Sequence, residues 1–276
     1  MTEPTRPVMR YFGGKWVLAP WIISQFPSHR TYVEPFGGGG SVLMRKPRSY
    51  AEVYNDLNSE VVNVFSVLRN PVLSRELERA LALTPFARAE FDQSYEDTAD
   101  PVEGARRTIV RSFMGFGSNS VNRGAKTGFR ANSNRSNTTP AHDWANYAEC
   151  ISVFHERLRG VVIENRQAME VMDQQDGKDT LHFVDPPYVH ETRKEKNGYA
   201  FEMGNDDHVA LLVGLQRLEG MVVLCGYEHP LYDSLCWHSL KREALADGAR
   251  ERTEVLWFND AAWNAKPQAE MFGGIA

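Results

Sequence analysis

The chain of 276 residues lacks most of the features that assign a protein to a class. No apolar run approaches the ~20 residues that span a bilayer, so no membrane segment is expected. The stretch Met1 to Met9 has no charged-then-apolar leader design. The three cysteines, Cys150, Cys225 and Cys236, are scattered and form no CxxC pair. That argues against a metal knuckle or a disulfide framework and for a reducing, cytoplasmic setting. His142, His155, His182, His208, His229 and His238 have no metal-ligand spacing and read as structural. No GxGxxG is present, so a nicotinamide-dinucleotide cradle is not expected. One further absence points to a partner. From Gly104 to His142 there is no Asp or Glu, yet seven Arg or Lys residues fall there: Arg106, Arg107, Arg111, Arg123, Lys126, Arg130 and Arg135. In a chain of net charge −5, such a basic stretch is the pattern of a DNA-contact surface.

Strands and helices alternate over most of the sequence. Thr31-Tyr32-Val33, Ala51 to Tyr54, Val161 to Ile163, Leu181 to Val184 and Met221 to Cys225 read as strands. Trp237 to Leu240 and Glu254 to Phe258 read as a closing pair. Helices are expected over Trp16–Phe26, Ser59–Leu68 and Trp144–Leu158, with a further one capped by Asn205 and opened by Asp206 and Asp207. From about Pro71 to Met114 the pattern is helical with charged faces. Gly115 to Pro140 is polar and without periodicity. The alternation implies a mostly parallel α/β sheet interrupted by an insert.

Two strand ends carry the chemistry. The first strand runs into Glu34-Pro35-Phe36-Gly37-Gly38-Gly39-Gly40-Ser41, whose glycines let a backbone approach a ligand closely. The second ends at Asp56, about twenty residues further on, where an acid commonly takes ribose hydroxyls. The pair indicates a nucleoside-bearing cofactor; a turn or a helix cap is the structural alternative for Asp56. At the end of Leu181–Val184 stands Asp185-Pro186-Pro187-Tyr188. The Asp185 carboxylate and the Pro186 carbonyl can accept hydrogen bonds from an exocyclic amino group, and the Tyr188 ring can stack on the base that bears it. Nucleoside cofactor plus amino clamp suggests methyl transfer from S-adenosylmethionine to an amino nitrogen. No well-placed nucleophilic cysteine is present, which disfavours C5-cytosine chemistry.

With these motifs in order, the chain resembles the Dam-type (D12 class) DNA adenine-N6 methyltransferases. The matching pieces are Arg10 to Lys15, Val33 to Ser41, Tyr54 to Asn58 and Phe183 to Tyr188, with weaker matches at Val222 to Tyr227 and Glu254 to Asn259. The resemblance implies a Rossmann-like, mixed seven-stranded methyltransferase fold over 1–69 and 156–276, with a helical and loop target-recognition insert over 70–155. It implies S-adenosylmethionine as cofactor, S-adenosylhomocysteine as product, no metal, double-stranded DNA as partner, and the cytoplasm of a bacterial or phage-infected cell. It assigns cofactor contacts to Tyr11, Lys15, Glu34, Phe36, Gly37, Gly38, Gly39, Gly40, Asp56 and Asp185. It assigns catalysis to Asp185, Pro186, Pro187 and Tyr188, with base flipping.

For DNA, composition offers Arg111, Arg123, Lys126, Arg130, Asn132, Asn134 and Arg135 in the insert, and Arg193, Lys194 and Lys196 in the basic loop after Tyr188. Two departures stand out. Tyr11 replaces the Trp of the best-known members, and the insert does not match the GATC-reading region. A short, polar, glycine-rich insert fits a relaxed or very short recognition site. N4-cytosine or RNA amino-methylation, and a non-catalytic DNA-binding module on the same fold, are the alternatives.

Overall fold

The computed structural model describes residues 3–124, 126–131, 138–193, 198–246 and 250–266. Asn132, Asn134, Arg135, Lys194 and Lys196 lie outside the described residues. Five parallel strands form most of the sheet: β1 (Thr31–Glu34), β2 (Ala51–Asn55), β3 (Val161–Glu164), β4 (Thr180–Val184) and β5 (Met221–Gly226). β6 (His238–Ala246) and β7 (Arg250–Phe258) complete it antiparallel, in the order β3-β2-β1-β4-β5-β7-β6. Every residue of β4 and β5 is buried, as apolar parallel strands covered on both faces should be. The order reverses between β1 and β4, which pair directly through Thr31–Thr180 to Val33–His182. Crevices at such reversals bind ligands at the carboxyl ends of the strands.

The helices are α1 (Ala19–Ser24), α2 (Ser41–Arg45), α3 (Ser59–Arg69), α4 (Leu73–Leu83), α5 (Arg88–Gln93), α6 (Pro101–Met114), α7 (Pro140–Ala145), α8 (Ile151–Leu158), α9 (Ala168–Gln175), α10 (Asn205–Leu215) and α11 (Asp260–Asn264). The β2–β3 crossover carries α3 to α8. Its aromatic and aliphatic side chains, among them Leu77, Phe91, Ile109, Phe113 and Tyr147, share one core with Tyr32, Tyr54 and Phe183 of the sheet. On the other sheet face, Val184, Val222, Leu224 and Trp257 pack against Met172, Leu211 and Leu215.

Several elements differ from the sequence reading for identifiable reasons. α1 begins at Ala19 because Pro20, without an N–H, suits only a first turn. The helix expected over Trp144–Leu158 is broken into α7, a tight turn at Ala148–Cys150 and α8. Two anchored aromatics force the break: Trp144 donates to the Thr84 carbonyl at 2.7 Å, and the buried Tyr147 hydroxyl donates to the Val8 carbonyl. Asn205 is the first helical residue of α10 rather than its cap. Gly204 holds that place, its N–H donating to Asp207 at 2.9 Å. β6 and β7 run much further than the closing pair expected. Lys241, Arg242 and Glu243 are exposed, so no alternation marks them as strand.

A buried charge cluster ties α8 to the sheet. Arg157 clamps Glu52 of β2 through two bonds, at 2.7 and 3.0 Å, and Lys46 reaches the same carboxylate at 2.7 Å. Removing one member leaves a desolvated charge behind. Arg157→Ala should therefore cost about 3–5 kcal/mol, read as a lowered urea midpoint at unchanged slope.

Candidate active site

The carboxyl ends of β1, β2 and β4 open into one cleft. Tyr11, Lys15, Glu34, Phe36, Gly37, Gly38, Gly39, Asp56, Asp185 and Pro187 line it. Gly40, Pro186 and Tyr188 do not reach its wall. Gly40 instead caps α2, in the left-handed region at φ +61°.

The glycine loop is held from below. Tyr54 donates its hydroxyl to the Gly38 carbonyl at 2.7 Å, and Asn55 joins the Pro35 carbonyl to the backbone of Arg166. Gly38 has φ +47°, and a Cβ there would stand 2.6 Å from the Tyr11 ring, so only glycine brings the loop this close. Asp56 accepts from the Gly38 N–H at 2.8 Å and from the Asn58 N–H at 2.7 Å. The cap of α3 is Asn58, not Asp56. A carboxylate has about four acceptor positions, so Asp56 keeps capacity for a ligand. Burial raises its pKa, and the two backbone bonds oppose that rise.

Glu34 is buried at the end of β1, accepting from the Tyr32 hydroxyl at 2.7 Å and the Leu43 N–H at 2.9 Å. Burial outweighs both bonds and pushes its carboxyl up to about 8.

Lys15 is the unexpected centre of the site. Its ammonium lies 2.9 Å from Asp185 Oδ2, donates to the Gly13 carbonyl at 2.8 Å and sits 4.7 Å from the centre of the Tyr188 ring. Burial disfavours the charge, but Asp185 and Glu254 outweigh it and hold Lys15 well above the ordinary lysine range. Burial likewise raises Asp185, against the pull of Lys15. Asp185 Oδ1 is buried and has no hydrogen-bond partner among the described residues. Tyr188 donates its own hydroxyl to Glu254 at 2.7 Å. The edge of Tyr188 meets Tyr227 at 4.6 Å between ring centres. Cys225 lies 3.1 Å from the Tyr188 hydroxyl, and burial holds its thiol well above the usual range. Its sulfur is therefore no ready nucleophile.

The segment after the motif turns inward. Arg193 pairs with Glu202 at 2.6 Å, and Glu202 accepts from the Tyr199 N–H. Tyr199 packs edge-on against Phe12 at 5.0 Å, and Tyr199 to Met203 complete the cleft wall. Sequence reasoning did not select Asn55, Tyr199, Glu202, Cys225 or Glu254 for the site. Asn55, Cys225 and Glu254 each fall inside a stretch that matches the family, which was the available signal, while Tyr199 and Glu202 are placed by their contacts with Phe12 and Arg193.

The basic stretch of the insert is corrected by its partners. Arg111 is 2% exposed, bonded to Glu60 at 2.7 Å and to the Ser94 carbonyl. It is a packing residue between α3 and α6, not a nucleic-acid contact. Arg106 and Arg107 are engaged by Glu103 and Glu90. Arg123 is tied to Asp97 at 2.7 Å and Glu60 at 3.1 Å, and Lys126 lies 3.2 Å from Asp92. Arg193, 5% exposed at its side chain, faces Glu202. Arg130 lies half-buried on the strand-like turn that returns to Met114. Acids from outside the stretch thus neutralise most of its charge.

The raised Glu34 carboxyl has a measurable consequence. Between pH 4.5 and about 8 the folded chain retains a proton that the unfolded chain releases, so this group's contribution to stability falls as pH rises through that window. Glu34→Gln keeps both acceptor contacts and removes the titration. The stability difference between wild type and variant, from urea unfolding at pH 6 and pH 9, should move in the variant's favour at the higher pH; a constant difference would contradict the assignment.

Among the described residues no helix is long and apolar enough to cross a membrane, and no group of three or more His, Cys, Asp or Glu is placed to hold a metal. No curated protein matches the chain. The model of the D12 class N6 adenine-specific DNA methyltransferases matches residues 11–221, from Tyr11 of the cleft through Asp185 to the first residue of β5. The chain belongs to this family of S-adenosylmethionine-dependent enzymes, which methylate N6 of adenine in DNA.

Proposed function

We propose that Asp185 and the Pro186 carbonyl accept the two N6 hydrogens of an adenine flipped from double-stranded DNA, and that the glycine-loop half of the cleft holds the cofactor. The observation that carries this reading is Asp185 Oδ1: a buried carboxylate oxygen with no partner among the described residues, on the cleft that the glycine loop also lines. An unpaired buried acceptor is costly and calls for a donor.

The residues present fit S-adenosylmethionine. Asp56, with acceptor positions to spare, suits the ribose hydroxyls. Glu34 suits the methionine ammonium, and Tyr11, against Gly38, offers a ring to the cofactor. Bound there, the cofactor supplies an electrophilic methyl carbon. The chain's own task is to prepare the amino nitrogen. Adenine N6 is a weak nucleophile because its lone pair is delocalised into the ring. Acceptors at Asp185 and Pro186 favour the pyramidal nitrogen in which that pair is free, a preorganised electrostatic contribution. The nitrogen gains a methyl group and loses one proton. The Asp185 carboxyl, raised by burial, is a nearby acceptor for that proton.

Lys15 fits this role as well as a cofactor contact. Its ammonium stands against Asp185 and the Tyr188 ring, where an amino group and its base are to dock, so base entry requires it to shift. Asp185→Asn and Asp185→Ala should each lower kcat for DNA methylation by on the order of 10²–10³ or more, while S-adenosylhomocysteine affinity measured by calorimetry changes far less. Equal losses in cofactor affinity and in rate would place Asp185 in cofactor binding instead.

A further inference from the structure

Most described cations of the insert pair with carboxylates, whereas Arg242 and Arg252 of the final hairpin have none among the described residues. β5 pairs with β7 only as far as Gly226–Val255, whereas β6 and β7 continue together through Arg242–Glu254 to Ala246–Arg250. At about 3.3 Å per residue the hairpin therefore projects on the order of 15 Å past the sheet. β5 runs parallel to β4, so the projection is at the end where Asp185 lies. Glu254 turns toward Tyr188; Arg252 two residues earlier and Arg242 opposite Glu254 share its face. Arg252 lies 5.6 Å from the centre of the Tyr227 ring, itself edge-on to Tyr188, and Arg242 lies 5.5 Å from the centre of a Trp21 ring. Among the described residues neither guanidinium has a carboxylate or a hydrogen-bond acceptor. Aromatic faces hold both groups in place, and among the described residues their N–H donors are unspent.

From this contrast we infer that the β6–β7 arm is a phosphate-binding wall of the DNA site, with Arg252 and Arg242 engaging the backbone of the strand that carries the target adenine. The inference rests on the proposed placing of that adenine at Asp185 and Tyr188. A guanidinium fork matches phosphate oxygens in pairs, and a stacked arginine loses less freedom on binding than a loose one. The arm stands on the sheet face whose core merges with the insert, so the strand would pass between the two.

The test is the salt dependence of binding to a short mixed-sequence duplex, by fluorescence anisotropy with S-adenosylhomocysteine present. Each lost phosphate contact reduces the slope of log K against log salt by about 0.9. The double variant Arg242→Ala/Arg252→Ala should lose up to ~1.8 from the wild-type slope, with thermal midpoint and S-adenosylhomocysteine affinity unchanged. Arg242→Lys/Arg252→Lys should restore most of it, and Arg159→Ala, remote from the arm, should leave it alone. A double alanine variant with the wild-type slope would overturn the inference. So would a fall that lysine does not restore and that comes with lost cofactor affinity, since that would mark a collapsed Tyr227–Tyr188 wall. If the wild type neither binds nor methylates DNA, the proposed function fails first and the arm's role fails with it. A wild type that does both, with an unchanged variant, sinks the arm alone.

Discussion

The direct pairing of β1 with β4 is the constraint on which the site depends. Those strands are about 150 positions apart in the chain and share three register pairs, Thr31–Thr180 to Val33–His182. Their parallel course delivers Glu34 and the glycine loop to the same end as Asp185. Strand order reverses there, so no helix covers the crevice between them. The interior of β4 leaves no room for error in that delivery. Its five residues are all buried, and a slip of one position would exchange the faces that Phe183 and His182 occupy. His182 is pinned from the far end by Asp176, which also accepts from the N–H groups of Glu219 and Gly220 ahead of β5.

Around this frame, charges are distributed by burial. The Arg157–Glu52–Lys46 cluster joins α8 to β2, and the arginines of α6 meet carboxylates on α3, α5 and α6 itself. In the cleft the pairing is deliberately incomplete. Lys15 takes one oxygen of Asp185 and leaves the other without a donor among the described residues. Glu34 retains its proton to about pH 8. These are the groups that a cation and an amino group would satisfy, and the cost of leaving them so is met by the packed strands beneath.

Much of this was legible in the sequence, and the reasons are physical. The buried strands are continuous apolar runs, and the two functional loops are made of residues with few structural uses at strand ends: consecutive glycines after Thr31–Glu34, and Asp-Pro-Pro-Tyr after Val184. The failures share one cause, that partners remote in sequence decide a residue's fate. Arg111 reads as a DNA contact within an acid-free stretch, but Glu60 lies one helix away and fifty-one positions back. Trp144 to Leu158 reads as one continuous helix, and the bonds of Trp144 to Thr84 and of Tyr147 to Val8 break it. Lys241, Arg242 and Glu243 are all exposed, so no alternation signals the length of the β6–β7 arm. Lys15 reads as a cofactor lysine, and only the fold brings it to Asp185.

The most direct measurement is transfer of labelled methyl from S-adenosylmethionine to unmethylated duplex DNA, with the product nucleosides separated and identified by mass spectrometry. A clamp that holds adenine at Asp185 and Tyr188 yields N6-methyladenine as the labelled nucleoside. Label in N4-methylcytosine, or none in DNA from a protein that binds its cofactor, would contradict it.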